Sequence, residues 1–275
     1  MRLVAIDIDG TLLDSRGQVP ARNVEAIEAV VARGVEVTLV TGRSFPFARP
    51  VLDPLPDVLA LIVSNGALVK TREGVTQTRR LLPRDVARSV LAGTALHRHA
   101  VALLFDRLDD GHIVTEEMDW QHPNRRGYYA RNSHRIRRAA PLESALTEDP
   151  VQVMFNGSVA AMRVVRATLE QLGRPHRFQV LRTEYVERDF TLLDLLAEGC
   201  TKGTALAGWA RDRGVAPDEV MAIGDNYNDQ EMLEYAGIPV VMGNAVTELK
   251  ARGWHVTGSN DAGGVATALE TFVLP

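Results

Sequence analysis

The sequence predicts an α/β protein in which a parallel-sheet core carries an inserted α+β domain. Short apolar runs alternate with amphipathic helical segments at both ends of the 275-residue chain, whereas the middle lacks this regular alternation. Because strand–helix–strand units join parallel strands of one sheet, the alternation favours a single sheet built from both ends. We therefore expect the core in residues 1–82 and 190–275, and the inserted domain in residues 83–189.

The amino-terminal elements follow from the hydrophobic pattern and from the turn residues. Residues 3–6 form an apolar run that is typical of a buried parallel strand. A helix is predicted between Pro20 and Gly34, because its apolar residues recur on one face and glycine commonly ends a helix. Residues 35–40 and 59–63 are predicted as strands, and the prolines between them indicate an irregular connection.

The carboxyl-terminal part repeats this alternation, and the middle contains strands that end without a polar motif. The predicted carboxyl-terminal elements are a helix over 202–213, strands over 220–223, 239–242 and 255–257, and a helix over 264–272. The predicted elements of the inserted domain are strands over 101–105, 151–155 and 178–181 and a helix over 159–172. The carboxyl ends of the core strands should therefore meet at one edge of the sheet.

The composition favours a soluble, cytoplasmic protein. A net charge of -4 and a pI near 6.0 do not attract nucleic acid or anionic membranes. The single Cys200 cannot form an internal disulfide, the chain begins in a strand instead of a signal peptide, and no apolar run approaches the roughly 20 residues of a membrane span. We expect a small-molecule partner, neither nucleic acid nor membrane, and a monomer or a homodimer.

Two aspartates end the first predicted strand. Asp7 and Asp9 leave the same face, roughly 6.6 Å apart at Cα, because side chains repeat every second residue along a strand. Ligands of open α/β sheets bind at the carboxyl ends of the strands, where this pair lies. Asp7 is the candidate nucleophile, because a carboxylate can form an aspartyl phosphate. Asp9 is the candidate acid and base, which protonates the leaving alkoxide and then activates water.

Further carboxylates follow the strand at residues 220–223. Asp225 comes directly after this strand, and Asp229 comes one helical turn later. Magnesium prefers carboxylate oxygens, backbone carbonyls and retained waters. We therefore predict a Mg²⁺ site formed by Asp7, the carbonyl of Asp9 and Asp225, with Asp229 supporting it.

Phosphate-binding groups are predicted at the remaining motifs. Thr41 and the Gly42 amide follow the second strand and can hydrogen-bond the transferred group. Lys202 is one of only three lysines among 31 basic residues, and its ammonium would offset the charge of Asp7 and of the phosphate. Asn228 can direct an uncharged amide at the phosphate.

The order of these motifs resembles the haloacid dehalogenase superfamily, and in particular its Cof-type phosphatases with a large α/β cap of class IIB. The motifs are Asp7-Ile8-Asp9-Gly10-Thr11, Thr41-Gly42-Arg43, Lys202, and Gly224-Asp225-Asn226-Tyr227-Asn228-Asp229. The stretches at residues 64–67, 242–245 and 263–266 are also similar to that family. The resemblance covers the two terminal parts of the chain, while the inserted domain matches by its position and length.

The resemblance implies a Rossmann-like core, a cap that determines substrate specificity, and a Mg²⁺-dependent phosphatase. The substrate would be a small organic phosphomonoester, such as a sugar phosphate or a phosphorylated cofactor. The family pattern makes Asp7 the nucleophile and Asp9 the acid and base, and it adds Asn65 to the phosphate-binding residues.

Two other functions use similar residues. A phosphomutase or other phosphotransferase would share the phosphoaspartate and would differ mainly in excluding water. A regulatory domain that is phosphorylated on aspartate also clusters aspartates, threonine and lysine on a parallel sheet. The order of the motifs argues against the regulatory domain, because its phosphorylated aspartate would lie on a later strand.

The inserted domain contains an arginine-rich stretch, residues 120–140, which has no acidic residue and includes three aromatic ones. We expect a solvated loop there; contact with an anionic substrate is the second interpretation and binding of nucleic acid the third. The spacing of His112, His122 and His134 is irregular and no cysteine is near, so we expect surface histidines and no zinc site.

Overall fold

A computed structural model of the chain describes residues 1–57, 59–172 and 178–274. Its strands are β1 Leu3–Asp7, β2 Glu36–Val40, β3 Ala60–Val63, β4 Leu68–Lys70, β5 Thr76–Arg79, β6 Val101–Leu104, β7 Ile113–Thr115, β8 Ile136–Arg138, β9 Gln152–Gly157, β10 Phe178–Tyr185, β11 Phe190–Ala197, β12 Val220–Gly224, β13 Ile238–Val241 and β14 His255–Val256. Its α-helices are α1 Ala21–Ala32, α2 Phe45–Ala48, α3 Arg84–Gly93, α4 Pro123–Asn132, α5 Val159–Leu172, α6 Lys202–Arg211, α7 Gln230–Tyr235, α8 Thr247–Lys250 and α9 Gly264–Phe272. Two compact units divide the chain, one formed by Met1–Arg79 with Thr201–Pro275 and the other by Arg80–Cys200.

The first unit is built on a sheet with the order β14-β13-β12-β1-β2-β3-β4-β5. β1 is central and runs parallel to both β12 and β2. Its apolar residues from Leu3 to Ile6 are fully buried, as the continuous hydrophobic run predicts for a strand covered on both faces. The predicted parallel sheet is thereby confirmed, and β1, β2 and β12 end at the same edge.

A short hairpin extends this sheet beyond the predicted strands. β4 pairs antiparallel with β3, and β5 pairs antiparallel with β4. The Lys70 ammonium donates a hydrogen bond of 2.6 Å to the Thr76 hydroxyl across the hairpin. The sequence analysis missed the hairpin, because its three- and four-residue strands carry no alternation long enough to detect.

The second unit is a six-stranded sheet with the order β10-β11-β9-β6-β7-β8. All of its pairings are antiparallel except the parallel pair β7 and β8. Helices α3 and α5 pack on one face, where Phe105, Phe155 and Leu195 are almost completely buried. The apolar residues on this face form the hydrophobic core of the unit.

The boundary predicted at residue 190 requires a correction. β11 was expected in the core, but it lies between β10 and β9 in the sheet of the second unit. The first unit resumes at Thr201 instead. The apolar run of β11 resembles a buried core strand in sequence, and only its antiparallel pairing partners show to which sheet it belongs.

The arginine-rich stretch is structured, so the expectation of a solvated loop was wrong. It contains α4 and β8, and Arg125 in α4 is only 7% exposed. The Arg125 guanidinium donates hydrogen bonds of 2.6 Å to the side chain and to the carbonyl of Asn156 in β9. This buried cation fixes α4 on the sheet.

No α-helix within the described ranges is both long and apolar enough to cross a membrane.

His112 differs from the expected surface histidines, because it is only 2% exposed in the second unit. Burial lowers the pKa of its imidazole from 6.5 to about 4. His134 is exposed, as expected, whereas His122 is half-buried, and its Nδ1 accepts a hydrogen bond of 3.2 Å from the Asn124 amide at the start of α4.

Acidification is expected to destabilise the protein through His112. Below its ordinary pKa the unfolded imidazole binds a proton, whereas the folded one remains neutral until about pH 4. The free energy of unfolding contributed by this group should therefore fall by about 2 kcal/mol between pH 7 and pH 4.5. Denaturant titrations of wild type and His112→Gln at both pH values measure this difference.

His134→Gln is the matched control, because the side chain of His134 is exposed in the folded protein. It should lose the same stability on acidification as the wild type. Equal losses in wild type and His112→Gln would contradict the role given to His112.

Candidate active site

The end of β1 and the turn after it bring Asp7 next to the loop that follows β12. Asp7 is buried, and Gly10 in the turn has a φ angle of +80°. A Cβ atom at Gly10 would lie 2.3 Å from the Oδ2 atom of Asp225. Only glycine therefore fits there, both because of the left-handed backbone and because Asp225 approaches so closely.

Lys202 connects the carboxylates of two distant segments. Its Nζ atom lies 2.6 Å from Oδ1 of Asp7 and 2.6 Å from Oδ1 of Asp229, and the side chain is 1% exposed. Lys202 is the first residue of α6, and the Thr201 hydroxyl caps this helix by accepting a hydrogen bond of 3.1 Å from the Thr204 amide. The hydroxyl of Thr201 also donates to the carboxylate of Glu231 in α7.

Asp229 uses both of its carboxylate oxygens inside the protein. Oδ1 accepts from Lys202, and Oδ2 accepts hydrogen bonds of 3.0 Å from the backbone amides of Asp225 and Asn226. Its side chain is completely buried. This arrangement fits the supporting role predicted for Asp229 better than direct metal coordination.

Asp225 completes a cluster of three buried carboxylates. Its Oδ1 accepts a hydrogen bond of 3.2 Å from the Thr11 hydroxyl in the turn after β1. Carboxylate oxygens from Asp7, Asp225 and Asp229 all lie within 4.8 Å of one another. Oxygens at this spacing suit a hard divalent cation.

The electrostatics of the cluster favour a bound cation. Burial raises the pKa of Asp7 to about 7, the charge of Asp229 adds to this effect, and Lys202 opposes it. Burial and the charges of Asp7 and Asp229 likewise raise the pKa of Asp225. Burial alone would lower the pKa of Lys202, but the two adjacent carboxylates outweigh it and raise that pKa. One ammonium thus faces three buried carboxylates, and added positive charge would offset the excess.

Asp9 lies on the exposed side of this cluster and pairs with Arg43. The guanidinium donates two hydrogen bonds to the carboxylate, 2.7 Å from Nε to Oδ2 and 2.6 Å from Nη2 to Oδ1. The side chain of Asp9 is 42% exposed. The two aspartates of the motif thus have different surroundings. Asp7 is buried beside the ammonium of Lys202, whereas Asp9 is accessible to solvent and lies beside Arg43.

Thr41, Asn65 and Asn228 form a polar group at the ends of β2 and β3. The Thr41 hydroxyl accepts a hydrogen bond of 3.1 Å from the Arg43 amide, and the Thr41 carbonyl accepts one of 3.0 Å from the Asn65 amide. The side-chain amide of Asn228 donates to Oδ1 of Asn65 over 2.9 Å. Asn65 has a φ angle of +52° and is completely buried. A Cβ on Gly42 would lie 3.1 Å from Oδ1 of Asn65, so Gly42 leaves room for this contact.

All predicted site residues therefore belong to the first unit, where Lys202 begins α6 and the others lie at strand ends or in the turns that follow them. The structure links Asp7, Lys202 and Asp229 directly, and it links Asp225 to the turn that carries Asp9. Thr41 connects to the same turn through Arg43, which bonds Asp9.

Sequence reasoning did not assign a role to three residues that hold the site together. Arg43 fixes the carboxylate of Asp9, Thr11 fixes Asp225, and the Asn244 side chain donates a hydrogen bond of 2.8 Å to the Gly10 carbonyl. Each of them lies within a stretch already singled out for another reason. Their partners could not be read from the sequence, because these contacts depend on which turns face each other.

The chain belongs to the haloacid dehalogenase-like hydrolase family, whose pattern matches residues 4–269. It is 32% identical over 254 residues to the HMP-PP phosphatase of Serratia proteamaculans, covering 91% of this chain and 86% of that protein. It is 27% identical over 286 residues to the pyridoxal phosphate phosphatase YbhA of Escherichia coli, covering 99% of each. The resemblance to this family drawn from the motifs is thereby confirmed.

Solved structures show the same fold. A haloacid dehalogenase-like hydrolase from Bacteroides thetaiotaomicron superposes with a TM-score of 0.80 at 26% identity, covering 98% of each chain. A second such hydrolase, from B. subtilis, superposes with a TM-score of 0.83 at 23% identity, covering 99% of this chain and all of the other.

Replacing Gly10 with alanine is expected to displace Asp225. The left-handed backbone costs about 1–2 kcal/mol of stability for any residue with a Cβ. The clash with Oδ2 of Asp225 adds to this at Gly10. We expect Gly10→Ala to lose more than tenfold in hydrolytic rate, measured on any ester that the wild type turns over.

Gly17→Ala is the matched control. Gly17 also has a positive φ angle, +76°, but a Cβ there would have no atom within 4 Å. This variant should share the backbone cost and keep its activity. Equal activity in the two variants would show that the approach of Asp225 does not matter.

Proposed function

We propose that this protein is a Mg²⁺-dependent phosphatase that hydrolyses small organic phosphomonoesters through an aspartyl phosphate on Asp7. The observation that carries the proposal is the buried ion pair of Asp7 with Lys202, at the carboxyl end of the central strand. It is supported by membership of the hydrolase family and by relatives that act as phosphatases.

Asp7 is suited to act as the nucleophile. Lys202 binds Oδ1, whereas Oδ2 makes no hydrogen bond to any residue that the structure describes. Oδ2 can therefore attack phosphorus, forming the acyl phosphate while the bond from phosphorus to the ester oxygen breaks. The ammonium of Lys202 favours the ionised carboxylate, because it opposes the effect of burial on the pKa of Asp7.

Asp9 is suited to handle the protons of both steps. It lies two residues from the nucleophile, on the accessible side of the site, where the ester oxygen leaves and water enters. In the first step its carboxyl group gives a proton to the departing alkoxide. In the second step its carboxylate takes a proton from the water that attacks the aspartyl phosphate, which releases inorganic phosphate and restores Asp7. Arg43 orients this carboxylate through two hydrogen bonds.

The remaining residues would bind the transferred group and the cation. Asp7, the Asp9 carbonyl and Asp225 would hold Mg²⁺, supported by Asp229, and the spacing and excess charge of the buried carboxylates fit a divalent ion. Bound Mg²⁺ would neutralise charge on the phosphoryl oxygens. Thr41, the Gly42 amide, Lys202, Asn65 and Asn228 would hydrogen-bond those oxygens.

The substrate class proposed is a small phosphorylated metabolite. The relatives are phosphatases of HMP-PP, of pyridoxal phosphate and, at 26% identity over 292 residues, of 5-amino-6-(5-phospho-D-ribitylamino)uracil. We propose that the inserted unit acts as the cap that determines which ester is accepted. Release of inorganic phosphate from a panel of phosphorylated metabolites tests the class, and transfer of phosphate between hydroxyls without release would indicate a phosphomutase.

Asp7→Asn is expected to reduce phosphate release to the background rate, because an amide cannot form the acyl phosphate. Asp9→Asn should slow turnover about 10²- to 10⁴-fold, since it removes proton transfer but keeps the nucleophile. Steady-state phosphate release on the best ester of the panel measures both. Asp53→Asn, at a side chain that is 67% exposed, is the control and should keep the wild-type rate. Turnover by Asp7→Asn close to that of the wild type would disprove the mechanism.

Mg²⁺ is expected to stabilise the protein as well as to activate it. The cation would relieve the repulsion among the buried carboxylates, so the free energy of unfolding should rise by about 2.7 kcal/mol at one hundred times the dissociation constant. Thermal unfolding with and without Mg²⁺ measures this effect independently of activity. Asp225→Asn should show a smaller increase, whereas Asp53→Asn should match the wild type. An unchanged melting temperature together with a rate insensitive to EDTA would contradict the metal assignment.

A further inference from the structure

The second unit contains a cavity of about 340 Å³, which is large enough for a small organic molecule. It lies where β7, the loop after it, α4 and β8 come together, within the stretch that includes the arginine-rich residues. Its walls come from a single unit, so the cavity can be analysed from that unit alone.

One wall of the cavity is aromatic. The rings of Trp120 and Tyr129 stack with their centroids 5.2 Å apart and their planes tilted by 30°. Met118 and Ile136 add apolar surface beside them. Tyr129 remains 38% exposed, so part of this stacked surface is available to a ligand. A flat ring gains the most from such a surface, because it can stack over its whole face.

Two charged groups of the cavity have capacity left for a ligand. The Arg138 guanidinium donates from Nε to the Glu116 carbonyl over 3.1 Å, and its terminal nitrogens have no hydrogen bond within the described part of the chain. The carboxylate of Glu117 likewise has no partner there, and this residue is exposed. Glu116 is already engaged through Oε2, which lies 3.5 Å from Nη1 of Arg98 and accepts a hydrogen bond of 3.0 Å from the Leu142 amide. Arg138 thus offers hydrogen-bond donors to a ligand, and Glu117 offers an acceptor.

The aromatic wall is held in place before any ligand binds. Arg125 lies four residues before Tyr129 in α4, and its two hydrogen bonds of 2.6 Å to Asn156 tie the helix to β9. A wall that is already ordered does not lose much side-chain entropy on binding. A saturated sugar gains less from the two stacked rings, because it has no flat π-face to lie against them.

We propose that this cavity binds a planar nitrogen heterocycle, with the ring stacked on the aromatic wall, an acceptor oxygen at Arg138 and a ring N–H or amino group at Glu117. Pyridine and pyrimidine compounds have this chemistry. The binding site follows from the cavity itself and does not depend on phosphatase activity.

NMR of the ¹⁵N-labelled full chain tests the proposal, because the sequence has three tryptophans and each gives one indole N–H signal. The signal of Trp120 is identified by its loss in Trp120→Phe. Pyridoxine and uridine, each with its 5′-phosphate, are titrated in EDTA; pyridoxine is chosen because it lacks the aldehyde that would react with lysines. Phosphorus spectra verify that the esters remain intact.

We expect the Trp120 signal to shift saturably with the heterocycles, while the signals of Trp209 and Trp254 stay in place. Glucose 6-phosphate should not shift it. Similar affinity for a ring and its 5′-phosphate assigns the site to the free heterocycle, and tighter binding of the ester assigns it to a phosphorylated ligand. Either result supports the site.

Two variants locate the contacts, and each has a matched control. Trp120→Leu and Tyr129→Leu should weaken binding at least about tenfold, because stacking on an aromatic side chain is lost. Because Trp120→Leu lacks the indole that reports binding, affinity in these variants is measured from the NMR signals of the heterocycle. Tyr129→Phe keeps the ring, and Trp254→Leu lies in the other unit, so both should bind within twofold of the wild type.

Three results would overturn the proposal. They are a Trp120 signal that does not move with any heterocycle, an equal response to glucose 6-phosphate, and unchanged affinity in both leucine variants. A chain that is inactive as a phosphatase but still shifts the Trp120 signal would reject the proposed function and keep this site.

Discussion

The active-site end of the first unit depends on one buried ammonium. Lys202 is withdrawn from water between Asp7 and Asp229, and a buried ion is stable only if its partners are close. The same contact therefore fixes the end of β1, the start of α6 and the turn after β12 relative to one another. Asp7 lies 195 residues before Lys202 in the sequence, so their meeting reflects the strand order of the sheet and the charge of this side chain.

The buried cluster of Asp7, Asp225, Asp229 and Lys202 has an excess of negative charge, and this excess lowers the stability of the fold. Asp225 adds a third carboxylate to a site that contains one ammonium, and burial with mutual repulsion raises the pKa of both Asp7 and Asp225. The network includes Gly10, whose missing side chain lets Asp225 approach the turn after β1. Sites that concentrate like charge in this way serve ligand binding at the expense of stability, and a divalent cation is the ligand whose charge fits best.

Much of this site was predictable because parallel strands end at a common edge. Asp7, Thr41 and Asp225 each follow an apolar run, and their meeting needed only the βα alternation. The pairing of Asp9 with Arg43 was not predictable, since it depends on the path of two turns. In the second unit, the antiparallel pairing of β11 and the burial of Arg125 also escaped the sequence analysis. An apolar run does not indicate which strands it pairs with. An arginine-rich segment is predicted to be solvated unless the buried partner of one of its arginines, here Asn156, is known.

The polar groups of the two units project from different kinds of secondary structure. In the first unit, the carboxylate of Asp7, which we propose as the nucleophile, projects from the end of a central strand with neighbours on both sides. This support restricts it to a narrow range of positions, as covalent chemistry would require. In the second unit, the cavity beside Trp120 is formed by a loop, a helix and an edge strand. Loops and edges tolerate substitution better than a buried central strand. Because Trp120 and Lys202 belong to different units, substitutions around Trp120 would leave Lys202 and its carboxylates in place.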